Sequence, residues 1–149
     1  EFVEQPVAAH DIDGLRFVRT RSPLPIIADE SCLVATDIPR LAGAVDGINL
    51  KLAKCGSLRE AVRIVHVARS FGMMVMAGCM IESSLGISAV AQLAPLLDHA
   101  DFDGAALLAD DPFSGVTIAG GNIKLSEGPG LGVTRRSTGE PRLASNSRR

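Results

Sequence analysis

Short apolar runs alternate along this chain with segments of helical periodicity. Four runs have the length and composition of β-strands, and they lie at residues 2–6, 24–29, 47–52 and 73–79. The clearest helix begins at Ser57, whose S-x-x-E spacing to Glu60 is that of a capping box, and ends at Gly72. A second helix is predicted over residues 83–99. This alternation predicts βα units on a parallel sheet.

Polar residues end the apolar runs at regular intervals. Glu4, Asp29 and Lys51 end the first three runs, and a polar segment from Cys79 to Glu82 ends the fourth. The D-x-D pair at residues 101 and 103 ends a fifth. Units of roughly 25 to 30 residues are typical of a (β/α) barrel, whose chemistry lies at the carboxyl ends of the strands. The spacing therefore predicts that these side chains meet on one rim.

Lys51 is an unexpected charge in an apolar strand. Because strand side chains alternate, Ile48 and Leu50 should face one side of the sheet, and Asn49 and Lys51 the other. Lys51 then either reaches solvent from the strand end or lies in the barrel mouth, where burial would lower its pKa toward that of a general base. Lys54, beyond the predicted strand end, is expected at the surface.

Glu4 and Asp29 place two carboxylates at the ends of consecutive predicted strands. They could each cap the helix that follows. Alternatively, two carboxylates that would repel each other could share a hard cation such as Mg²⁺. A metal ion beside a lysine base is a known means of stabilising the enediolate formed when a proton leaves the carbon next to a carboxylate. The residues leave both interpretations open.

Composition and charge exclude several classes of protein. The 149 residues have a net charge of −2 and are 46% hydrophobic, as in ordinary globular proteins and unlike a nucleic-acid binder. No apolar run reaches the roughly 18 to 20 residues that span a bilayer, and no signal peptide is recognisable, so we expect a cytoplasmic protein without a membrane partner. The cysteines and histidines lack metal-ligand spacing.

Residues 134–149 are polar and basic, which predicts a disordered tail after a domain at residues 1–133.

Seven motifs in order carry a resemblance to a known family: VEQPV, IIADES, INLKLAKCG, GCMIESSLGISA, ADFDG, DDPF and PGLGV. They resemble the C-terminal part of the enolase superfamily in its muconate-lactonizing branch, and most closely the dipeptide epimerases of the L-Ala-D/L-Glu type. The resemblance implies an α/β fold that comprises about strands 4 to 8 of a (β/α) TIM-type barrel. It also implies a Mg²⁺-dependent isomerase that acts on an amino-acid α-carbon of a dipeptide.

The resemblance also assigns roles to individual residues. By it, Glu4 and Asp29 are metal carboxylates and Lys51 is one of two acid/base lysines. Residues expected to bind substrate are Met80, Glu82, Asp101 and Asp103. The two aspartates match the pair that binds the ammonium group of a dipeptide in the epimerases.

Other parts of the family pattern are absent from these 149 residues. The K-x-K motif with the other lysine, the first metal carboxylate, the capping domain and the first barrel strands are not found. Because epimerization needs an acid/base group on each face of the carbon, we expect the chain alone to be inactive. Because the edges of a partial barrel are exposed, we also expect it to self-associate through them. The alternatives are a muconate cycloisomerase or an o-succinylbenzoate synthase of the same superfamily, or a non-catalytic remnant.

Overall fold

The computed structural model describes residues 1–137, which form two compact units. The first unit contains residues 1–78 and 95–101, and the second contains residues 79–94 and those from 102 onward. Most of the predicted tail, residues 138–149, lies outside the described residues. Among residues 1–137, none of the helices combines the length and apolar character that crossing a membrane requires.

The first unit is built on a parallel sheet of five strands in the order β1-β2-β3-β4-β5. The strands are β1 (Val3–Glu4), β2 (Ile26–Ala28), β3 (Gly47–Lys51), β4 (Met74–Gly78) and β5 (His99–Ala100). All four neighbouring pairs are parallel, so the βα pattern of the sequence is confirmed. Their numbering as strands 4 to 8 of a barrel stays a prediction.

The two edge strands of this sheet approach each other, so the sheet is strongly curled. A flat sheet would hold the first and last of five strands about 19 Å apart, at about 4.8 Å per step. Yet the ring of Phe2, just before β1, has its centroid 5.1 Å from that of His99 in β5. Both side chains therefore lie on the concave face, as expected for part of a barrel.

Four helices connect the strands of the first unit. They are α1 (Ile12–Arg19), α2 (Ile38–Leu41), α3 (Leu52–Cys55) and α4 (Leu58–Ser70). Helix α4 starts as predicted, because the Ser57 hydroxyl accepts a hydrogen bond of 3.2 Å from the Glu60 amide. The Glu60 carboxylate does not close a capping box; it accepts the amide of Ala35 at 2.8 Å and so ties the helix to the segment before α2.

Among its described residues the second unit contains one α-helix, α5 (Ser84–Ala91), which is shorter than the predicted helix over residues 83–99. Pro95 explains the difference. It has no N–H to donate to the carbonyl of Ala91, and its ring disfavours helical geometry at the residue before it. A short 3₁₀ turn at Ala94–Leu96 follows instead.

Two antiparallel strand pairs complete the second unit. Strand β6 (Phe113–Ser114) pairs with β9 (Thr134–Arg135), and β7 (Thr117–Ala119) pairs with β8 (Asn122–Lys124). The second pair is a hairpin closed by Gly120 and Gly121, whose φ angles of 56° and 74° are those a tight turn needs.

The predicted start of the tail needs a correction. Thr134 and Arg135 were expected to be disordered, but they form β9 and pair with β6. This strand has only two residues, neither of them apolar, and both are exposed. It therefore has none of the alternation by which a strand is recognised in a sequence.

Removing a core side chain from β3 should destabilise the fold. Leu50 is 1% exposed, and we expect Leu50→Ala to lower the free energy of unfolding by about 2 to 5 kcal/mol through lost burial and the cavity it leaves. Leu107, which is 62% exposed, is the matched control and should change stability by less than about 0.5 kcal/mol as Leu107→Ala. Urea unfolding measures both, and equal effects of the two substitutions would contradict the assigned core.

Candidate active site

A buried carboxylate lies at the centre of the polar residues in the first unit. Asp29 directly follows β2, and its side chain is only 5% exposed. Its Oδ2 accepts a hydrogen bond of 2.7 Å from Lys51 Nζ. The ammonium group of Lys54 contacts Oδ1 and also donates to the main-chain carbonyl of Asp29 at 3.0 Å. One carboxylate thus pairs with two ammonium groups.

The chain brings both lysines to Asp29 by changing from strand to helix at Lys51. Lys51 is the last residue of β3 and precedes the first residue of α3, so Lys54 lies one helical turn further on. The helix ends at Gly56, whose φ of 80° is that of a left-handed cap. Lys54 is 10% exposed, so its expected position at the surface was wrong. Alternation of apolar and polar residues could not reveal this position, because alternation is a pattern of strands and the single turn of α3 is too short to show a helical pattern.

Glu4 completes the group of charges from the end of β1. Its Oε1 lies 3.9 Å from Lys51 Nζ and accepts a hydrogen bond of 2.8 Å from Asn49 Nδ2. Asn49 is 1% exposed, and its Oδ1 is buried without a hydrogen-bond partner among the described residues. Asn49 and Lys51 therefore face the side of the sheet that carries both carboxylates, as the alternation predicted. Neither carboxylate caps the following helix through its side chain.

The pKa of Lys51 is shifted in the direction opposite to the one expected. Burial disfavours the ammonium form, but the hydrogen bond and charge of Asp29, with the charges of Glu4 and Glu30, outweigh it and raise the pKa above 10.5. Burial likewise acts to raise the pKa of Asp29, and the hydrogen bonds and charges of Lys51 and Lys54 outweigh it and hold that pKa below 3.8. The expectation of a lowered lysine pKa considered burial without the neighbouring carboxylates.

Gly78 at the end of β4 leaves space for these side chains. It pairs with Lys51 across the sheet. A Cβ at this position would lie 2.8 and 2.9 Å from the amide atoms of Asn49 and 3.1 Å from Lys51 Cε. A side chain here would displace Asn49 or Lys51, so glycine is needed for close approach rather than for an unusual backbone angle.

The D-x-D pair lies beyond the end of the last strand of the sheet. Strand β5 ends at Ala100, and the amide of Asp101 still donates to the carbonyl of Ala77 at 2.9 Å in the first unit. Asp103 belongs to the second unit and precedes a 3₁₀ turn at Gly104–Leu107. Both aspartates are exposed. Phe102 between them is buried, so exposed and buried side chains still alternate over these three residues.

Met80 and Glu82 lie in a loop of the second unit that packs against the turn after Asp103. The Met80 side chain is 46% exposed, and its amide donates to Glu82 Oε1 at 3.0 Å. The Gly104 amide donates to Cys79 Sγ at 3.3 Å. A Cβ at Gly104 would lie 2.1 Å from the carbonyl oxygen of Met80, so only glycine allows this contact. The two predicted substrate-binding segments of this unit, residues 80–82 and 103, are thus close together.

Asp111 in the DDPF motif has a structural role. It is 3% exposed, and its Oδ2 accepts from both the amide and the hydroxyl of Ser84, at 2.7 and 2.6 Å. Its Oδ1 accepts the amide of Phe113 at 3.0 Å. The carboxylate therefore caps the start of α5 and connects this helix to β6.

The carboxylates of Glu4 and Asp29 fit a divalent cation in kind. Mg²⁺ prefers oxygen ligands and is often held by one or two carboxylates together with water and substrate oxygens. Within residues 1–137, no group of three or more histidine, cysteine, aspartate or glutamate side chains could hold a metal ion. The two carboxylates can therefore supply part of a magnesium site but not a complete set of protein ligands.

The curled parallel sheet, with carboxylates and lysines at its strand ends, defines an α/β protein with a group of charged side chains at the carboxyl ends of its strands. Over residues 1–138 the sequence matches the enolase C-terminal domain-like family. The chain belongs to this family. It is 45% identical over 133 residues to the L-Ala-D/L-Glu epimerase of Bacteroides thetaiotaomicron, a match that covers 89% of this chain and 35% of that protein.

Two solved structures show the same fold. The substrate-liganded L-Ala-D/L-Glu epimerase from Bacillus subtilis superposes with a TM-score of 0.84 at 37% identity, over 89% of this chain and 39% of that one. The dipeptide epimerase from Enterococcus faecalis, complexed with Mg and L-Leu-L-Tyr, gives a TM-score of 0.84 at 39% identity, over 91% and 40% of the two chains. This chain therefore spans about two fifths of the proteins it resembles.

Neutralising Asp29 should destabilise the protein in a pH-dependent way. Asp29→Asn leaves two buried ammonium groups without their counter-charge, and we expect a loss of about 3 to 5 kcal/mol in the free energy of unfolding at pH 7. Because the folded pKa of Asp29 is lowered, its contribution is complete above 3.8 and is lost as the pH falls through the folded value. The difference between wild type and variant should therefore shrink at pH 3.

Urea unfolding at pH 7, 5 and 3 with EDTA measures this difference. Asp13→Asn is the control, because the Asp13 side chain is 94% exposed in its pair with Arg16 and should contribute less than about 1 kcal/mol. A difference between wild type and Asp29→Asn that stays constant from pH 7 to pH 3 would contradict the assigned charge.

Proposed function

We propose that this chain supplies two metal carboxylates and one acid/base lysine of a Mg²⁺-dependent dipeptide epimerase. One observation carries the proposal: Lys51 Nζ lies 2.7 Å from Asp29 and 3.9 Å from Glu4, at the carboxyl ends of three adjacent strands. A purely structural sheet has no need to bury these charges, which are costly to desolvate. The epimerase relatives support the same reaction class.

Each residue of this group has a distinct chemical task in the proposal. Glu4 and Asp29 would hold Mg²⁺, which stabilises the negative charge that develops on a substrate carboxylate when the α-proton leaves. Asp29 and Glu4 favour the ammonium form of Lys51, and this form delivers a proton to the α-carbon. In the reverse reaction the neutral amine of Lys51 removes that proton.

A second acid/base group must act on the opposite face of the α-carbon. The proposal assigns it to a part of the protein outside these 149 residues, since the relatives are more than twice as long as the matched region. On this basis the isolated chain should not epimerize dipeptides. Self-association through the edges of β1 and β5 belongs to the same proposal.

The two exposed aspartates of the D-x-D motif select the substrate in this proposal. In it, Asp101 and Asp103 bind the ammonium group of the dipeptide, and Met80 and Glu82 contact the rest of it. Phe102 between them is 3% exposed, so its side chain is buried in the second unit rather than presented to substrate. Charge-assisted hydrogen bonds from an ammonium to a carboxylate are among the stronger polar contacts in proteins.

The alternative is a cycloisomerase or an o-succinylbenzoate synthase that uses the same metal carboxylates and lysine. Substrates of those reactions carry no ammonium group, so they leave two exposed carboxylates without a function. The D-x-D pair therefore favours the epimerase. A non-catalytic remnant would not require the buried group of Asp29, Lys51 and Lys54.

Removing the Lys51 amine should slow proton transfer on its own face of the α-carbon and leave dipeptide binding intact. In the full-length protein with Mg²⁺, we expect Lys51→Met to slow exchange of the dipeptide α-proton by about 10²- to 10⁴-fold, the usual contribution of a general acid or base. Proton NMR in deuterium oxide follows the exchange, and calorimetry follows dipeptide binding. Lys124→Met is the control, because Lys124 is exposed on β8. Wild-type exchange in Lys51→Met would exclude Lys51 as the acid/base group.

Neutralising Asp103 should weaken binding of the dipeptide. In the full-length protein, Asp103→Asn should raise KM for L-Ala-L-Glu about 10-fold or more, because a charge-assisted hydrogen bond to the ammonium is lost. Mg²⁺ affinity should not change. The control is Asp110→Asn, at a neighbouring exposed carboxylate. An unchanged KM, or a wild-type preference for substrates without an amine, would favour the cycloisomerase alternative.

A further inference from the structure

Gln5 directly follows Glu4 in the chain and has an unusual backbone conformation. Its φ angle is 37°, and among residues 1–137 it is the one residue other than glycine with a positive φ. This region of backbone space is strained for a residue with a side chain. Such strain persists only where the surrounding structure holds the residue in place.

Hydrogen bonds use every donor and acceptor of the Gln5 side chain. Its Oε1 accepts the amides of Asp29 and Ser31, at 2.8 and 3.2 Å. Its Nε2 donates to the Ser31 hydroxyl at 2.9 Å and to the carbonyl of Val7 at 3.0 Å. An amide side chain has two donor hydrogens and two acceptor lone pairs, so this set is complete.

These contacts connect the chain segments that carry Glu4 and Asp29. The Gln5 main-chain amide donates to the carbonyl of Ile27 at 2.9 Å, so β1 stays joined to β2 beyond Glu4. The side chain then holds the main chain of Asp29 itself. Ser31, at the far end of the contact, is fully buried, and its hydroxyl donates to the carbonyl of Ala9 at 2.7 Å. Gln5 therefore links the end of β1, which carries Glu4, to the segment that carries Asp29.

We propose that Gln5 is a positioning residue that fixes the Asp29 carboxylate relative to Glu4 for binding of a divalent cation. The inference rests on the proposed function of Glu4 and Asp29 as metal carboxylates. Residues that orient metal ligands are often as important as the ligands, and losing one typically weakens metal binding about 10- to 100-fold. The strained backbone of Gln5 is maintained because its side chain must reach the Asp29 segment.

Two substitutions separate the positioning role from a role in stability alone. Gln5→Ala and Gln5→Gly both remove the side-chain hydrogen bonds, but only glycine also relieves the strain at φ 37°. We expect Gln5→Gly to unfold at a higher urea concentration than Gln5→Ala. Both should nevertheless lose Mg²⁺ affinity equally, by about 10-fold or more, as measured by calorimetry of the full-length protein without substrate.

Gln92→Ala is the matched control, since Gln92 is exposed at the end of α5 and, within residues 1–137, its side chain bonds only the carbonyl of Ser88, at 3.3 Å. Its Mg²⁺ affinity should equal that of the wild type. The turnover of Gln5→Gly should also recover at high Mg²⁺ concentration, because the defect lies in occupancy of the metal site. A destabilised fold would lower the rate at every Mg²⁺ concentration.

Wild-type Mg²⁺ affinity in Gln5→Gly would overturn the inference. A loss of Mg²⁺ affinity that is larger in the less stable of the two variants would overturn it as well. In either case the proposed function stands, provided that the wild type binds Mg²⁺ and epimerizes dipeptides. A wild type that binds no Mg²⁺ would overturn the proposed function and the positioning role together. If Gln5→Ala does not fold, Gln5→Gly still gives the decisive affinity.

Discussion

The first unit depends on the pairing of one buried carboxylate with two ammonium groups. Asp29 follows β2, Lys51 ends β3, and Lys54 lies on the single turn of α3. Desolvating any one of these charges alone would be strongly unfavourable, so the three are compatible with burial only when they are together. The strand register, the turn into α3 and the glycine at position 78 all have to permit this contact.

The two faces of β3 show how the scaffold and the site use the same strand. Ile48 and Leu50 are buried on one side and stabilise the fold, while Asn49 and Lys51 meet the carboxylates on the other. In a parallel sheet all carboxyl ends lie along one edge, so polar residues from different strands meet there. A shift of one residue in register would exchange the two faces of β3, and both the core packing and the pairing of Lys51 with the carboxylates would be lost.

The proposed proton transfer depends on the five-stranded sheet, whereas most of the proposed substrate contacts lie in loops of the second unit. Glu4, Asp29 and Lys51, the proposed metal carboxylates and acid/base lysine, lie at the strand ends of the first unit. Asp103, Met80 and Glu82 belong to loops of the second unit, where Gly104 permits a close backbone approach. Loops accept substitutions more readily than sheet strands do. Under the proposed function, the substrate could therefore be changed through these loops while the residues at the strand ends stay the same.

Local patterns in the sequence were sufficient for the parallel strands, the start of α4 at Ser57 and the orientation of Lys51. These features depend on periodicity and capping, which involve residues a few positions apart. The tertiary structure decided the buried position of Lys54, the contacts of Gln5, the raised pKa of Lys51 and the end of β5 before Asp101. Each depends on groups distant in sequence, or on where a strand stops, and hydrophobic alternation contains no information about such distances.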